Sequence, residues 1–290
     1  MKQTEDPTQD LAGLTGRHRL VGLAAQFDAA RGTELGTALI VSPFGVSADN
    51  MFLPAFTLAS NGFRVVRFDP RNHVGRSEGD MYDFRISTTA EDVAAVLDAV
   101  RPDLVVGFSL AAPAVLRALA GRSDRIPAIM AAGVVNMRHT LKAVLETDFF
   151  DVRPSDHVSV LGEDVHGLNF IDDCRSFGAV EFADTVADGA RISGPLTYVA
   201  GTEDPWVSYA EVEEFARVRT AGPTTVLPLP VGTHQFNLNP TIALSYTKAV
   251  LAECLRVVGS DEEGTIPPLH EAITARKRLA QSEAAGQVAR

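Results

Sequence analysis

The chain has 290 residues, 46% of them apolar, enough for one large α/β domain carrying an insertion or for two small domains. Its 37 acidic and 26 basic residues leave a net charge of −11, which argues against a nucleic-acid surface and against a strongly anionic membrane as partner. Two cysteines, Cys174 and Cys254, are too few for a disulfide framework and read as thiols packed like small apolar groups in a reducing compartment.

Residues 1–10 are polar and acidic with no apolar core, so they do not resemble a signal peptide. With no apolar run long enough to span a bilayer, the expectation is a cytoplasmic protein without stable membrane insertion. Residues 1–18 read as a flexible segment, and 18–25 as an early strand. A continuous apolar run at 38–42, closed by Pro43, Phe44 and Gly45, reads as a buried strand. A helix over 51–60 ends at Asn61-Gly62, and a second strand occupies 63–69. The loop 70–85 holds Gly75 and Gly79. Its Gly75-Arg-Ser-Glu-Gly79 stretch lacks phosphate-loop spacing and reads as a surface loop near the mouth of a site. Thr88 and Thr89, followed by Glu91 and Asp92, predict a capped helix to about residue 100.

The run Leu104-Val105-Val106 then breaks into Gly107-Phe108-Ser109-Leu110-Ala111, and an Ala- and Leu-rich helical stretch follows to residue 120. A strand, a sharp turn with small residues two before and two after a serine, and an immediate helix make a nucleophile elbow. Such a turn pushes the hydroxyl of Ser109 out of the sheet and aims the following backbone N–H groups at the same point. A further strand is expected over 126–135. From 136 to 189 the strand and helix rhythm is lost, which marks an inserted cap. The rhythm returns with a strand at 196–200, a helix near 208–217, a strand at 224–229 and a long helix from 240 to about 257. The tail 259–290 is polar, with an Ala-, Arg-, Lys- and Glu-rich helical stretch from His270.

A serine hydroxyl needs a base within hydrogen-bond reach, and the base needs a group to orient it. His234, in Gly232-Thr-His-Gln235, is the candidate base; the other histidines precede that position or lie in the tail. Asp204, in the turn after the 196–200 strand, is the candidate orienter, with Glu203 its rival. The order Ser109, Asp204, His234 is that of the α/β-hydrolase fold, a mostly parallel sheet with helices on both faces. The core is assigned to 19–135 and 190–258 and the cap to 136–189. An oxyanion would be held by the N–H of Leu110 and by that of Phe44 or Gly45. Phe149, Phe150 and Phe170, with Leu145 and Leu168, are the candidate apolar contacts for a substrate, or else the cap's own small core. Asp172, Asp173 and Cys174, near His166, read as structural, because nothing places that thiol on an elbow. The histidines are dispersed without metal-ligand spacing, and neither a metal nor a cofactor is expected.

Several segments together resemble the acyl-transferase of the bacterial luminescence operon, the myristoyl-acyl-carrier-protein thioesterase family. They are residues 61–69, His73-Val-Gly-Arg-Ser77, Gly133-Val-Val-Asn-Met-Arg-His-Thr-Leu141, Asp173-Cys174 and Asp204-Pro-Trp-Val207, with His234 at the position of that family's histidine. The likeness covers roughly residues 36–250, and 133–141 is its most distinctive piece. It implies a serine enzyme that takes a fatty acyl group from an acyl carrier protein or coenzyme A thioester onto Ser109. The acyl group then passes to water or another acceptor. The elbow departs from the family's Ala-Ser-Leu-Ser-Ala, and the 42–45 loop differs too, which leaves chain length and acceptor open; the sequence does not give the oligomeric state. Two further readings are a carboxylester hydrolase for a small ester and a non-catalytic protein that binds an apolar ligand on the same fold.

Overall fold

A computed structural model describes residues 2–4, 11–234 and 239–288. Its nine-stranded sheet runs in the order β1-β2-β3-β5-β4-β6-β7-β10-β11. These strands are β1 (Lys2–Thr4), β2 (Gly16–Leu20), β3 (Leu23–Asp28), β4 (Gly36–Val41), β5 (Phe63–Asp69), β6 (Leu104–Phe108), β7 (Ala128–Ala131), β10 (Leu196–Gly201) and β11 (Thr224–Leu229). From β5 through β11 all neighbours are parallel; β3 joins β5 antiparallel, and β2 pairs antiparallel with β3.

The single early strand expected over 18–25 is two strands. Val21 and Gly22 both take positive φ (45° and 82°), the requirement of a tight two-residue hairpin turn, and a β-branched residue gives no warning of that conformation. Part of the segment expected to be flexible forms an edge strand. Lys2–Thr4 pairs in parallel with β2, whose outer edge would otherwise leave its backbone groups unpaired; Met1 and residues 5–10 lie outside the described residues.

The central strands are apolar on both sides because both sides are covered, the usual state of a parallel sheet. Leu39 and Val41 of β4 enter one core with Val105 of β6, while Ala38 and Ile40 enter the other with Leu104 and Val106. The first core is closed by α2 (Ile86–Val100), α3 (Ala111–Ala120) and α7 (Tyr209–Val218), through residues such as Val93, Leu97, Leu116, Val212 and Phe215. The second is closed by α1 (Phe52–Ser60) and α8 (Pro240–Val257), whose Tyr246, Val250, Leu251 and Cys254 recur at helical spacing. The tail forms α9 (Leu269–Val288), which seats Ala272 against Phe52 and Phe56 of α1. Among the described residues no helix is long and apolar enough to cross a membrane.

One local expectation changes. Helix α2 starts at Ile86 and is capped from a distance. Asp173 accepts from the Ser87 N–H at 3.1 Å and from the Ser87 hydroxyl, whereas Thr89 turns back to the Arg85 carbonyl. Asp173 and Cys174 thus serve structure: Cys174 is fully buried, as is Cys254, both thiols are free, and burial pushes both well above their usual pKa. Between 136 and 189 lie α4 (Met137–Leu145), the hairpin β8 (His157–Val160) and β9 (Glu163–His166), α5 (Gly167–Phe177) and α6 (Phe182–Gly189).

The loops leaving β10 and β11 approach each other through glycine alone. A Cβ on Gly201 would lie 2.2 Å from the carbonyl oxygen of Gly232, and the Glu203 N–H donates to that same oxygen at 3.2 Å. Gly201→Ala is therefore expected to destabilise the protein by about 1–3 kcal/mol. Thermal unfolding would register this as a loss of roughly 2–4 °C in Tm per kcal/mol.

Candidate active site

Four parallel strands, β4, β6, β10 and β11, deliver their following loops to one edge of the sheet, where open α/β sheets bind ligands. Ser109 follows β6 with φ 51°, a left-handed conformation that costs a non-glycine residue on the order of 1–3 kcal/mol. Its N–H donates to the Ala131 carbonyl at 3.0 Å, and its carbonyl accepts from Val134 and Ala112, each at 3.1 Å. Small residues make the turn possible. A Cβ on Gly107 would meet Met130 and Val115 at 3.1 and 3.3 Å, and one on Gly133 would meet Met130 at 2.7 Å.

The hydroxyl of Ser109 donates to Nε2 of His234 at 2.5 Å, and Nδ1 of His234 donates to Oδ2 of Asp204 at 2.8 Å. The other carboxylate oxygen of Asp204 accepts the N–H groups of Trp206 (2.9 Å) and Val207 (3.1 Å). The carboxylate is thereby fixed in direction, with its side chain 1% exposed, while the rival Glu203 is exposed on the surface. Trp206 lays its ring 4.8 Å from that of His234 and is itself held by Thr140, whose hydroxyl donates to the Trp206 carbonyl at 2.6 Å.

The three expected polar residues are thus brought into one hydrogen-bonded line. Phe44, Gly45 and Leu110 also border the same cavity, of about 320 Å³. The Gly45 N–H is already engaged, by Nε2 of His73 at 3.2 Å, and the Val46 N–H closes a turn onto the Pro43 carbonyl at 3.2 Å. Neither the Phe44 nor the Leu110 amide meets an acceptor among the described residues, so of the two alternatives after β4 the free donor is Phe44.

The expected apolar contacts are displaced. Phe149, Phe150 and Phe170 do not border this cavity; Leu141, Val144, Val160, Leu161, Val46 and Trp206 do. Phe170 is buried against Phe84 at 5.6 Å, and Phe149 and Phe150 pack against the first core beyond the end of α4, with Arg175 over the Phe150 ring. Helix α4 instead turns Thr140, Leu141 and Val144 toward the serine, the one-face spacing that its short sequence already carries. Leu161 sits at the β8–β9 turn with φ 52° and is half exposed at the cavity's rim.

A sheet of this topology with a serine elbow, and an aspartate and a histidine delivered by later strands, is the α/β-hydrolase fold. Solved structures agree at the level of the fold. Est1E from Butyrivibrio proteoclasticus, determined with ferulic acid bound, superposes with a TM-score of 0.68 at 19% identity, covering 84% of this chain and 99% of that one. A monoacylglycerol lipase from Paleococcus ferrophilus gives 0.66 at 14% identity, covering 81% and 99%. Within the fold, the sequence pattern of the acyl transferase family matches residues 29–275, and the chain belongs to that family. It is 28% identical over 251 residues to an acyl transferase of Photobacterium phosphoreum, covering 82% of this chain and 81% of its relative.

Burial lowers the pKa of His73 to about 4, against an ordinary value near 6.5. Above pH 6.5 the imidazole is neutral in both folded and unfolded chains. Between about 6.5 and 4 only the unfolded chain takes up the proton, so stability falls as pH falls through that window and levels off below it. Urea unfolding of the wild type and His73→Gln across pH 4–7 should show the variant losing this component, worth on the order of 3 kcal/mol at full extent.

Proposed function

We propose that the protein transfers fatty acyl groups from thioesters through an acyl-Ser109 intermediate. The carrying observation is the unbroken line from Asp204 through His234 to Ser109, ending at an apolar cavity with two free backbone donors beside the hydroxyl. In the first half-reaction, Oγ of Ser109 attacks the acyl carbonyl carbon as its proton passes to Nε2 of His234. The carbonyl electron pair moves onto oxygen, where the N–H groups of Phe44 and Leu110 stabilise it. Collapse of that adduct breaks the C–S bond, and the departing sulfur takes the proton from Nε2. A thiol with an ordinary pKa of about 8.5 leaves with little help, which suits a site whose single acid is an imidazolium. In the second half, an acceptor hydroxyl or water gives its proton to Nε2 and attacks the same carbon, and Ser109 leaves with that proton restored.

Asp204 holds the Nδ1–H tautomer and stabilises the imidazolium that forms in each half. Leu141, Val144, Val160 and Leu161 receive the start of the acyl chain. The carrier is coenzyme A or an acyl carrier protein, since either presents the same thioester. Membership in the acyl transferase family and the likeness to an acyl transferase of a luminous bacterium support this reading.

Intact mass spectrometry after brief mixing with acyl-coenzyme A of several chain lengths is the direct test. A mass gain equal to the acyl group is expected for the wild type and none for Ser109→Ala. His234→Ala should lower the acylation rate by about 10⁶-fold, and Asp204→Asn by about 10⁴-fold. Faster decay of the adduct with added alcohols would assign a transferase over a hydrolase. No adduct with any thioester, alongside rapid turnover of small oxygen esters, would replace this reading with a carboxylester hydrolase.

A further inference from the structure

His73 lies outside the Ser109, His234 and Asp204 line, yet it is buried and its ring reaches the loop that follows β4. That loop makes a turn at Pro43-Phe44-Gly45-Val46, closed by the Val46 N–H on the Pro43 carbonyl, with Gly45 at φ 70°. A positive φ at the third residue is the mark of a type II turn, which differs from type I by a half rotation of its central peptide. The central peptide here joins Phe44 to Gly45, and its N–H is the group that Nε2 of His73 accepts at 3.2 Å. The opposite ring nitrogen faces the Val74 carbonyl at 3.3 Å, so a proton on Nδ1 leaves Nε2 with the lone pair that this contact needs.

The loop bearing His73 is in turn stapled to the segment after the turn it holds and to β3. Asp69 accepts from the Ala48 N–H at 2.7 Å and from the Arg76 N–H at 3.0 Å. The Ser77 hydroxyl donates to the Asp69 carbonyl and accepts from the Ala24 N–H. Gly75 has no room for a side chain, since a Cβ there would lie 2.2 Å from the Asp69 carboxyl carbon. Phe44 packs edge-on against Phe84, with centroids 4.9 Å apart, and more distantly against His73 itself at 6.3 Å.

We propose that His73 is a positioning residue for acyl transfer: by accepting the Gly45 N–H it anchors the 43–46 turn to the His73 loop, and so holds in place the loop whose Phe44 N–H is the second oxyanion donor. This inference rests on the acyl-serine reading above. Without the acceptor, the part-buried Gly45 N–H would lose its partner, and the turn that carries the Phe44 N–H would shift to find another. A donor moved by about 1 Å can cost up to 10²-fold in rate.

Three variants separate the lock from mere packing. His73→Gln keeps an acceptor, His73→Phe keeps the ring against Phe44 and Phe84 without one, and His73→Ala removes both. Each is taken through thermal unfolding, single-turnover acylation by an acyl-coenzyme A, and steady-state kcat and KM. The expected result is a loss in kcat of about 10- to 100-fold for the folded Phe and Ala variants. KM should stay within about threefold, because the lock acts on the transition state, and Gln should recover most of the rate. If Ala does not fold, the comparison of Phe with Gln decides alone. A folded Phe variant at wild-type kcat, or equal losses for Phe and Gln, would overturn the lock while the wild-type acyl-enzyme still forms. Absence of acyl-enzyme in the wild type would overturn the acyl-serine reading and the lock together.

Discussion

Everything at the site hangs on one residue held where its own backbone does not prefer to be. Ser109 keeps φ 51° because its amide and carbonyl are tied to Ala131 and Val134 at the end of β7 and its carbonyl also to Ala112 of the next helix. That geometry tolerates no bulk at Gly107 or Gly133, and it sets the starting point of α3 directly after Leu110. The strain is local, while the packing that maintains it is spread over the fully buried strands β6 and β7 and the buried end of β4.

The other participants arrive by a second constraint of the same kind. Gly201 and Gly232 touch backbone to backbone, which sets the separation of the loops carrying Asp204 and His234. The aspartate spends its remaining oxygen on two amides of its own turn, so it has one direction left to point. Three rigid attachments, to β6, β10 and β11, therefore converge on one imidazole. The segment between residues 136 and 189 reaches this machinery through Thr140, which links α4 to Trp206 and so to the face of His234.

The parts of this arrangement carried by neighbouring residues were legible in the sequence. Continuous apolar runs bounded by glycine and proline marked β4 to β7 and β10 to β11, and the elbow is a five-residue pattern in a strand-to-helix setting. Ser109, Asp204 and His234 could be ordered because their spacing follows the strand succession. What escaped depends on contacts between distant positions. Asp173 caps α2 across 86 residues, and His73 meets Gly45 across 28, with no local pattern to announce either. The aromatic residues 149, 150 and 170 were attractive as pocket walls by composition alone. Their place in the first core is decided by how α4 and α5 pack, and the cavity took its walls from aliphatic residues on one side of α4 and on the β8–β9 hairpin.

Trp206 is the only tryptophan in the chain, and its indole lies against the imidazole of His234. Indole emission is sensitive to a neighbouring positive charge and to the polarity of its surroundings. The protein thus carries its own fluorophore at the one position where protonation of His234 and the entry of an apolar chain would both be felt. No other indole contributes background. Its brightness and colour are a running optical record of the site, obtained without a label.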